Sequence, residues 1–339
     1  MKSIARRVSL WGVSAVVVLG AVLPVLAVRQ AAAQQNGQAF SISPPLVDLK
    51  ADPGQTVTAK VKLTNVSADE LLIKTQFNDF GAKNETGEPN IIFDDTQSTD
   101  YSLRHWIASA EPFKLASKET KTLEFPINVP KDAEPGGHYA VVRFTGTAAA
   151  AEQNGVELSA SIGLLVLLQV SGEIKEEASL LDFYTATPKE LNRTGFFETA
   201  PISFVQRVQN SGNVHIKPTG TVEVINMFGQ KVATLRVNGD PSNAKDQPRS
   251  VLPDSVRRFD QTLSDAWMFG RYEAKLKMTY GQSGTPVEST ITFWVVPHKL
   301  VAIVLVVGTG LFFLLRTGIR RYNSHVVRKA QKGTFSIRK

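Results

Sequence analysis

TVTAKVKL, residues 56–63, alternates Val57, Ala59, Val61 and Leu63 with Thr and Lys. A period of two sends successive side chains to opposite faces, so the stretch reads as a strand with one buried and one solvated face. Pro53-Gly54 before it and Asn65-Val-Ser-Ala-Asp69 after it are turn-forming. Outward from there, residues 71–77 read as a partner strand, and residues 122–129 alternate again through Leu123, Phe125, Ile127 and Val129. Residues 139–144 form another strand after Pro135-Gly-Gly137, and Ala-rich residues 146–155 read as an exposed hairpin loop. IGLLVLLQV, residues 162–170, is the most apolar stretch of this region. It is too short to cross a bilayer as a helix, and its run length predicts a strand buried on both faces.

A second block starts near Gly172. Residues 202–208, 219–226, 231–237, 272–280 and 288–296 are strand-like, with turn clusters at Asn210-Ser-Gly-Asn213, Asn238-Gly-Asp-Pro241 and Gly281-Gln-Ser-Gly284. The blocks repeat each other. Val61 to Ser67 matches Val205 to Ser211 as strand, Asn, then a small residue; Gly137-His-Tyr139 matches Gly270-Arg-Tyr272. Short strands at close spacing, in units of a little over 100 residues, predict an all-β fold of two tandem immunoglobulin-like β-sandwich domains. We place them at 38–173 and 174–294, with the boundary near 170–177.

The ends differ from the middle. Residues 1–33 carry four basic residues and no acid, and residues 300–339 carry eight and no acid. All 31 acids lie in 34–299, whose net charge is about −5, so the net charge of +7 belongs to the ends. That division does not support nucleic-acid binding, which needs a basic face on the folded part. Lys2, Arg6 and Arg7, the apolar residues 8–28 and Ala31-Ala-Ala33 form a signal-sequence pattern. Cleavage after Ala33, cleavage after Ala27 and retention as an anchor remain open. Residues 300–315, LVAIVLVVGTGLFFLL, carry no charge and predict a transmembrane helix. With flanks the span is 295–319, where Phe293, Trp294 and Tyr322 resemble interfacial anchors and Lys299 and Arg316 can snorkel. The basic tail, 320–339, orients the helix with its C-terminus in the cytoplasm and the β-rich part outside. Lipid contact is expected through the helix, and the tail reads as a topology signal before a lipid-binding one.

The chain has no cysteine, which excludes disulfides, thiol catalysis and cysteine-ligated metal. No catalytic constellation, phosphate loop or nucleophile elbow is present, so a non-enzyme without cofactor or metal is expected. His105, His138, His215, His298 and His325 are scattered, none at metal-ligand spacing. Asp94, Asp95 and Asp100, with Glu85 and Glu88, crowd one segment in an order that matches no calcium loop. Asn65, Asn84 and Asn192 open N-x-S/T triplets in expected turns, where Asn is common anyway. Trp106 reads as core packing, with surface stacking on a ligand as the alternative. No residue is assigned to ligand binding.

FSISPPLVDL (residues 40–49), Pro53-Gly54-Gln-Thr and Val61-Lys-Leu-Thr-Asn65 resemble the opening of the WxL-interacting protein family. Residues 102–107 with Trp106, and Val129-Pro-Lys-Asp132 through Gly137, resemble the rest of that family's first domain. The resemblance covers 40–175 well and 176–298 less. It implies a bacterial cell-surface protein with peptidoglycan binding in the first domain and a protein partner for the second. The first block is also similar to a pilus-assembly chaperone domain, which implies partner binding by strand addition at a sheet edge.

Overall fold

A computed structural model describes residues 40–335 apart from 95, 149–158, 244–245 and 265–266, so the signal segment and most of the 146–155 loop lie outside the described residues. The first sandwich is built from β1 (Phe40–Ser43), β2 (Leu46–Ala51), β3 (Thr56–Asn65), β4 (Leu71–Lys83), β5 (Glu88–Ile92), β6 (Phe113–Leu115), β7 (Thr120–Asn128), β8 (Gly136–Ala148) and β9 (Ser159–Val170). The second uses β10 (Ala178–Ala186), β11 (Phe196–Phe197), β12 (Ile202–Asn210), β13 (Thr219–Asn226), β14 (Lys231–Val237), β15 (Ser255–Leu263), β16 (Gly270–Tyr280) and β17 (Thr285–Val295). Helix α1 (His298–Phe335) follows. Two tandem immunoglobulin-like sandwiches and a C-terminal helix are thus the fold.

In the first sandwich β1-β3-β7 faces β2-β9-β8-β4-β5, with β6 also on β4. In the second, β10-β12-β15 faces β11-β17-β16-β13-β14. The orders correspond strand for strand. The parallel pair β2–β9 has its counterpart in the parallel pair β11–β17. The repeat is therefore one of topology, and its clearest side-chain marker is Asn. Asn65 ends β3 and Asn210 ends β12, both fully buried. Asn65 donates to the carbonyls of Asp69, Leu115 and Ala116 and accepts from Ser67 N–H. Asn210 donates to Val214 and Val251 and accepts from Gly212 N–H. Each amide closes the turn after its strand, which local Asn side chains do well.

The Gly-x-Tyr match fails as a side-chain equivalence. Tyr272 points into the second core, whereas Tyr139 points away from the first core, into a separate cluster with Phe80, Val141 and Leu167. A one-residue slip on a strand reverses the face, and the two glycines differ by that slip.

The alternation of residues 56–63 does what its period requires. Ala59, Val61 and Leu63 enter the first core with Phe125, Ile127 and Phe144. Fully burying such aliphatic and aromatic side chains stabilises by about 1.5–3 kcal/mol each. β9 is covered on both faces: Leu164, Val166 and Leu168 face the first core, and Leu165 and Leu167 face the Tyr139 cluster.

Three readings at the C-terminal end change. Val295 is fully buried and hydrogen-bonded in register with Gly270, so it belongs to β17 and the helix begins at His298. Phe293 is a core residue, while Trp294, one position on, faces out, because neighbouring strand residues alternate. The helix also runs on through the basic tail to Phe335. No Pro or Gly occurs from Ile319 to Lys332, and Arg, Lys, Gln and Ala there are good helix formers. By length and composition α1 can cross a membrane.

Candidate functional site

The second sandwich leans on the outer face of the β2-β9-β8-β4-β5 sheet. Asp48 of β2 accepts from Lys217 Nζ at 2.5 Å and lies 3.2 Å from His215 Nε2. His215 Nδ1 is 3.3 Å from the Tyr139 hydroxyl. Tyr101 donates to Asp254 at 2.7 Å. Glu85, in the β4–β5 turn, takes a two-pronged hydrogen bond from Arg207 at 2.8 and 2.5 Å. Gly137 N–H donates to the Asn213 carbonyl at 2.8 Å. Burial raises the Asp48 carboxyl pKa, but hydrogen bonds and charge from His215 and Lys217 outweigh it and hold the group at about 2. Arg207 likewise holds Glu85 below the usual carboxylate range.

Asp48, His215 and Tyr139 line up in the order of a hydrolytic triad. The hydroxyl is closed off from solvent there. Tyr139 is 2% exposed, and burial drives its pKa upward, away from ionisation. The line is a structural relay between the sandwiches.

Beside this contact lies a cleft of about 640 Å³. Its floor is apolar, with Phe80, Leu165, Leu167 and Leu252, and Arg249 and Arg257 stand on the wall from the second sandwich. Arg257 donates to the Ser250 carbonyl at 2.6 Å, and its Nε is buried with no partner among the described residues. Burial, with Arg249 second, pulls its pKa down to about 10. Size and lining are those of a ligand cleft.

β9 leads out of that cleft as a sheet edge. β2 covers its outer side from Leu165 to Val170. Among the described residues no strand is hydrogen-bonded to that side of residues 159–164, although β1, which pairs with β3, packs close to β9. Leu165 N–H donates to Pro45 on this side, so by the two-residue strand period Gly163 and Ser161 also turn N–H and C=O outward. Exposed edges are usually guarded by charge, proline or a bulge. β5 carries Glu88 and Pro89, β15 carries Arg257 and Arg258, β17 carries Pro286 and Glu288, and β10 has a register shift at Leu180/Asp182. SASIGLLVLLQV, the whole of β9, has no charge and no proline.

The residues singled out from sequence are mostly not brought together. Trp106 packs partly on the first core and sits over His138 with ring centroids 4.3 Å apart. Both line a shallow groove with Asp100, Asp132 and Glu134. His138 is buried against the Glu134 carbonyl; His105 lies beside Arg104; His298 and His325 are on α1. Asp94 caps its own loop through Thr96 and Gln97, Glu88 pairs with Lys83, and Glu85 with Arg207, so these acids do not converge. Asp95 is outside the described residues. Among the described residues no group of three or more His, Asp or Glu could hold a metal ion. Asn84 and Asn192 are exposed in turns, while Asn65 is buried and cannot serve as a glycan acceptor. Sequence reasoning passed over Arg257, Asp48 and Glu85 as contact residues, because their partners lie more than 100 positions away or in unread loops.

Neither a protein-family model nor a curated protein matches the sequence. Among solved structures the chain is similar to the YadV chaperone, at 11% identity and TM-score 0.36 over 76% of this chain and 100% of that one. It is similar to the class 5 fimbriae chaperone CfaA at 14% identity and TM-score 0.35, over 76% and 99%. A complex of Salmonella enterica SafA pilin with the SafB chaperone gives 10% identity and TM-score 0.34, over 76% and 97%. With TM-scores below 0.5, these likenesses carry no argument for what the chain binds.

Proposed function

We propose that this chain is a non-catalytic, membrane-anchored, extracytoplasmic binding protein that holds an extended segment of a partner protein by strand addition along β9. The observation that carries the reading is the uncharged outer side of residues 159–164, to which no strand is hydrogen-bonded among the described residues. An added strand would take main-chain hydrogen bonds from Ser161 and Gly163, and the sheet face beside it would select alternate side chains. In this reading α1 spans the membrane with the basic tail inside. The test is a photo-crosslinking side chain at Ser161 in the full chain, in cells that make it. A covalent adduct with a second polypeptide is expected there and not with the same side chain at Thr290, on the guarded outer edge of β17. Equal adducts at both positions, or none at Ser161, would sink the reading.

A second reading follows the resemblance to WxL-interacting proteins: the first sandwich also holds cell-wall polymer. Its support is the half-buried Trp106 ring in a groove edged by Asp100, Asp132 and Glu134, a setting that suits stacking on a sugar ring with hydroxyls bonded to carboxylates. Sedimentation of the full chain with purified peptidoglycan tests it. Binding should fall at least tenfold in Trp106→Ala; undiminished binding, or no binding by the unaltered chain, rejects it.

A further inference from the structure

One end of the second sandwich carries large apolar side chains in water. Trp267 is 85% exposed, Phe228 78% and Phe196 74%, with Met227, Phe269 and Trp294 near half exposure. They come from four separate places: β11, the β13–β14 turn, the link from β15 to β16, and the end of β17. Strand register gathers them. Phe196 pairs with Trp294, Trp294 with Arg271, and Asn226 with Tyr272. A Cβ added to Gly270 would meet Met227 Cε at 2.0 Å, so the β13–β14 turn lies against the start of β16. The opposite end of the same sheet is polar, with turns Gly281-Gln-Ser-Gly284 and Asn238-Gly-Asp240.

The apolar end is also where α1 leaves. Two residues, Val296 and Pro297, separate Val295 from His298, a reach of at most about 10 Å. Lys299 in the first turn of α1 pairs with Glu198, next to β11, at 2.9 Å. Contiguous exposed apolar surface marks an interaction site. Trp and Phe suit the boundary between headgroups and acyl chains, where a ring can be buried and an indole N–H stays wet.

We propose that this end of the second sandwich is a membrane-docking face. Its aromatic and Met side chains enter the headgroup–acyl boundary of the bilayer that α1 crosses, and they hold the ectodomain against the surface. The proposal rests on the reading of α1 as a membrane span and is independent of the β9 edge.

The chain has no cysteine, so one introduced thiol takes a label uniquely. Phe228→Cys and, at the polar end, Ser283→Cys are each labelled with an environment-sensitive fluorophore in the full chain, reconstituted into phosphatidylcholine–phosphatidylglycerol vesicles. At 228 we expect blue-shifted emission, quenching by spin-labelled lipid and protection from aqueous iodide. At 283 we expect the reverse. Adding Trp267→Ser and Phe269→Ser should cut lipid quenching at 228 several-fold while the chain still floats with the vesicles. A label at 228 as open to iodide as that at 283, in a chain that floats, overturns the docking face alone. A chain that does not float overturns the span, and the docking face with it.

Discussion

Asn65 and Asn210 show how much one side chain carries in this fold. Each is buried at the end of the second strand of its first sheet, and each satisfies carbonyls that the following turn would otherwise leave unpaired. Removing one partner from a buried hydrogen bond costs about 1–3 kcal/mol per orphaned group. Asn65→Ala and Asn210→Ala should therefore each lower stability by about 2–4 kcal/mol, read as a shift in urea midpoint. Asp48 makes the matching case for charge. Its native pKa lies below the ordinary 3.8, so its contribution is present above that value and is lost as pH falls from about 4 towards 2. Allowing for its partial exposure, the loss is about 1–2 kcal/mol. Acid titration of stability should show that drop, and Asp48→Asn should remove it.

Strands differ in how plainly sequence announces them. β3 is legible because apolar and polar residues alternate without a break from Val57 to Leu63, and β13 and β14 because they are short β-branched runs between turn residues. β15 is not. Its positions on the Phe259 side include Arg257 and Gln261, which interrupt the apolar period, and Arg257 is tolerated because it turns to Ser250 and the cleft. β10 and the short β5 and β6 are hard to read for a similar reason: their burial is set by neighbours rather than by pattern. β9 is legible as buried, yet the extent of pairing on its outer side is not, since that depends on where β2 stops. Ser161→Pro removes an outward N–H without touching a bond to β8, so it should abolish recovery of the partner polypeptide with the affinity-purified full chain while moving the thermal midpoint by less than a few degrees. A large drop in midpoint would mean that Ser161 N–H serves β8 instead.

For the whole molecule, the contact between sandwiches is centred on Tyr139, ringed by Phe80, Tyr101 and His215 with centroids 5.7–6.1 Å away. Replacing a buried aromatic by Ala costs about 3–5 kcal/mol. Here the loss falls on the contact between two bodies with separate cores. Calorimetry of the Tyr139→Ala chain in detergent should therefore resolve two transitions where the unaltered chain gives one. The sequence by itself determined the class of the fold, the repeat and the helix that can cross a membrane, because those follow from local periodicity, turn residues and an unbroken apolar run. Only the tertiary structure decided that β2 stops pairing with β9 at Leu165 among the described residues, that Tyr139 and Tyr272 face opposite ways, that Phe293 is core while Trp294 faces out, and that aromatic residues meet where α1 leaves. Those depend on register and on contacts between residues far apart in the chain. A shift of one position reverses a face, and no local pattern records where a neighbouring strand ends.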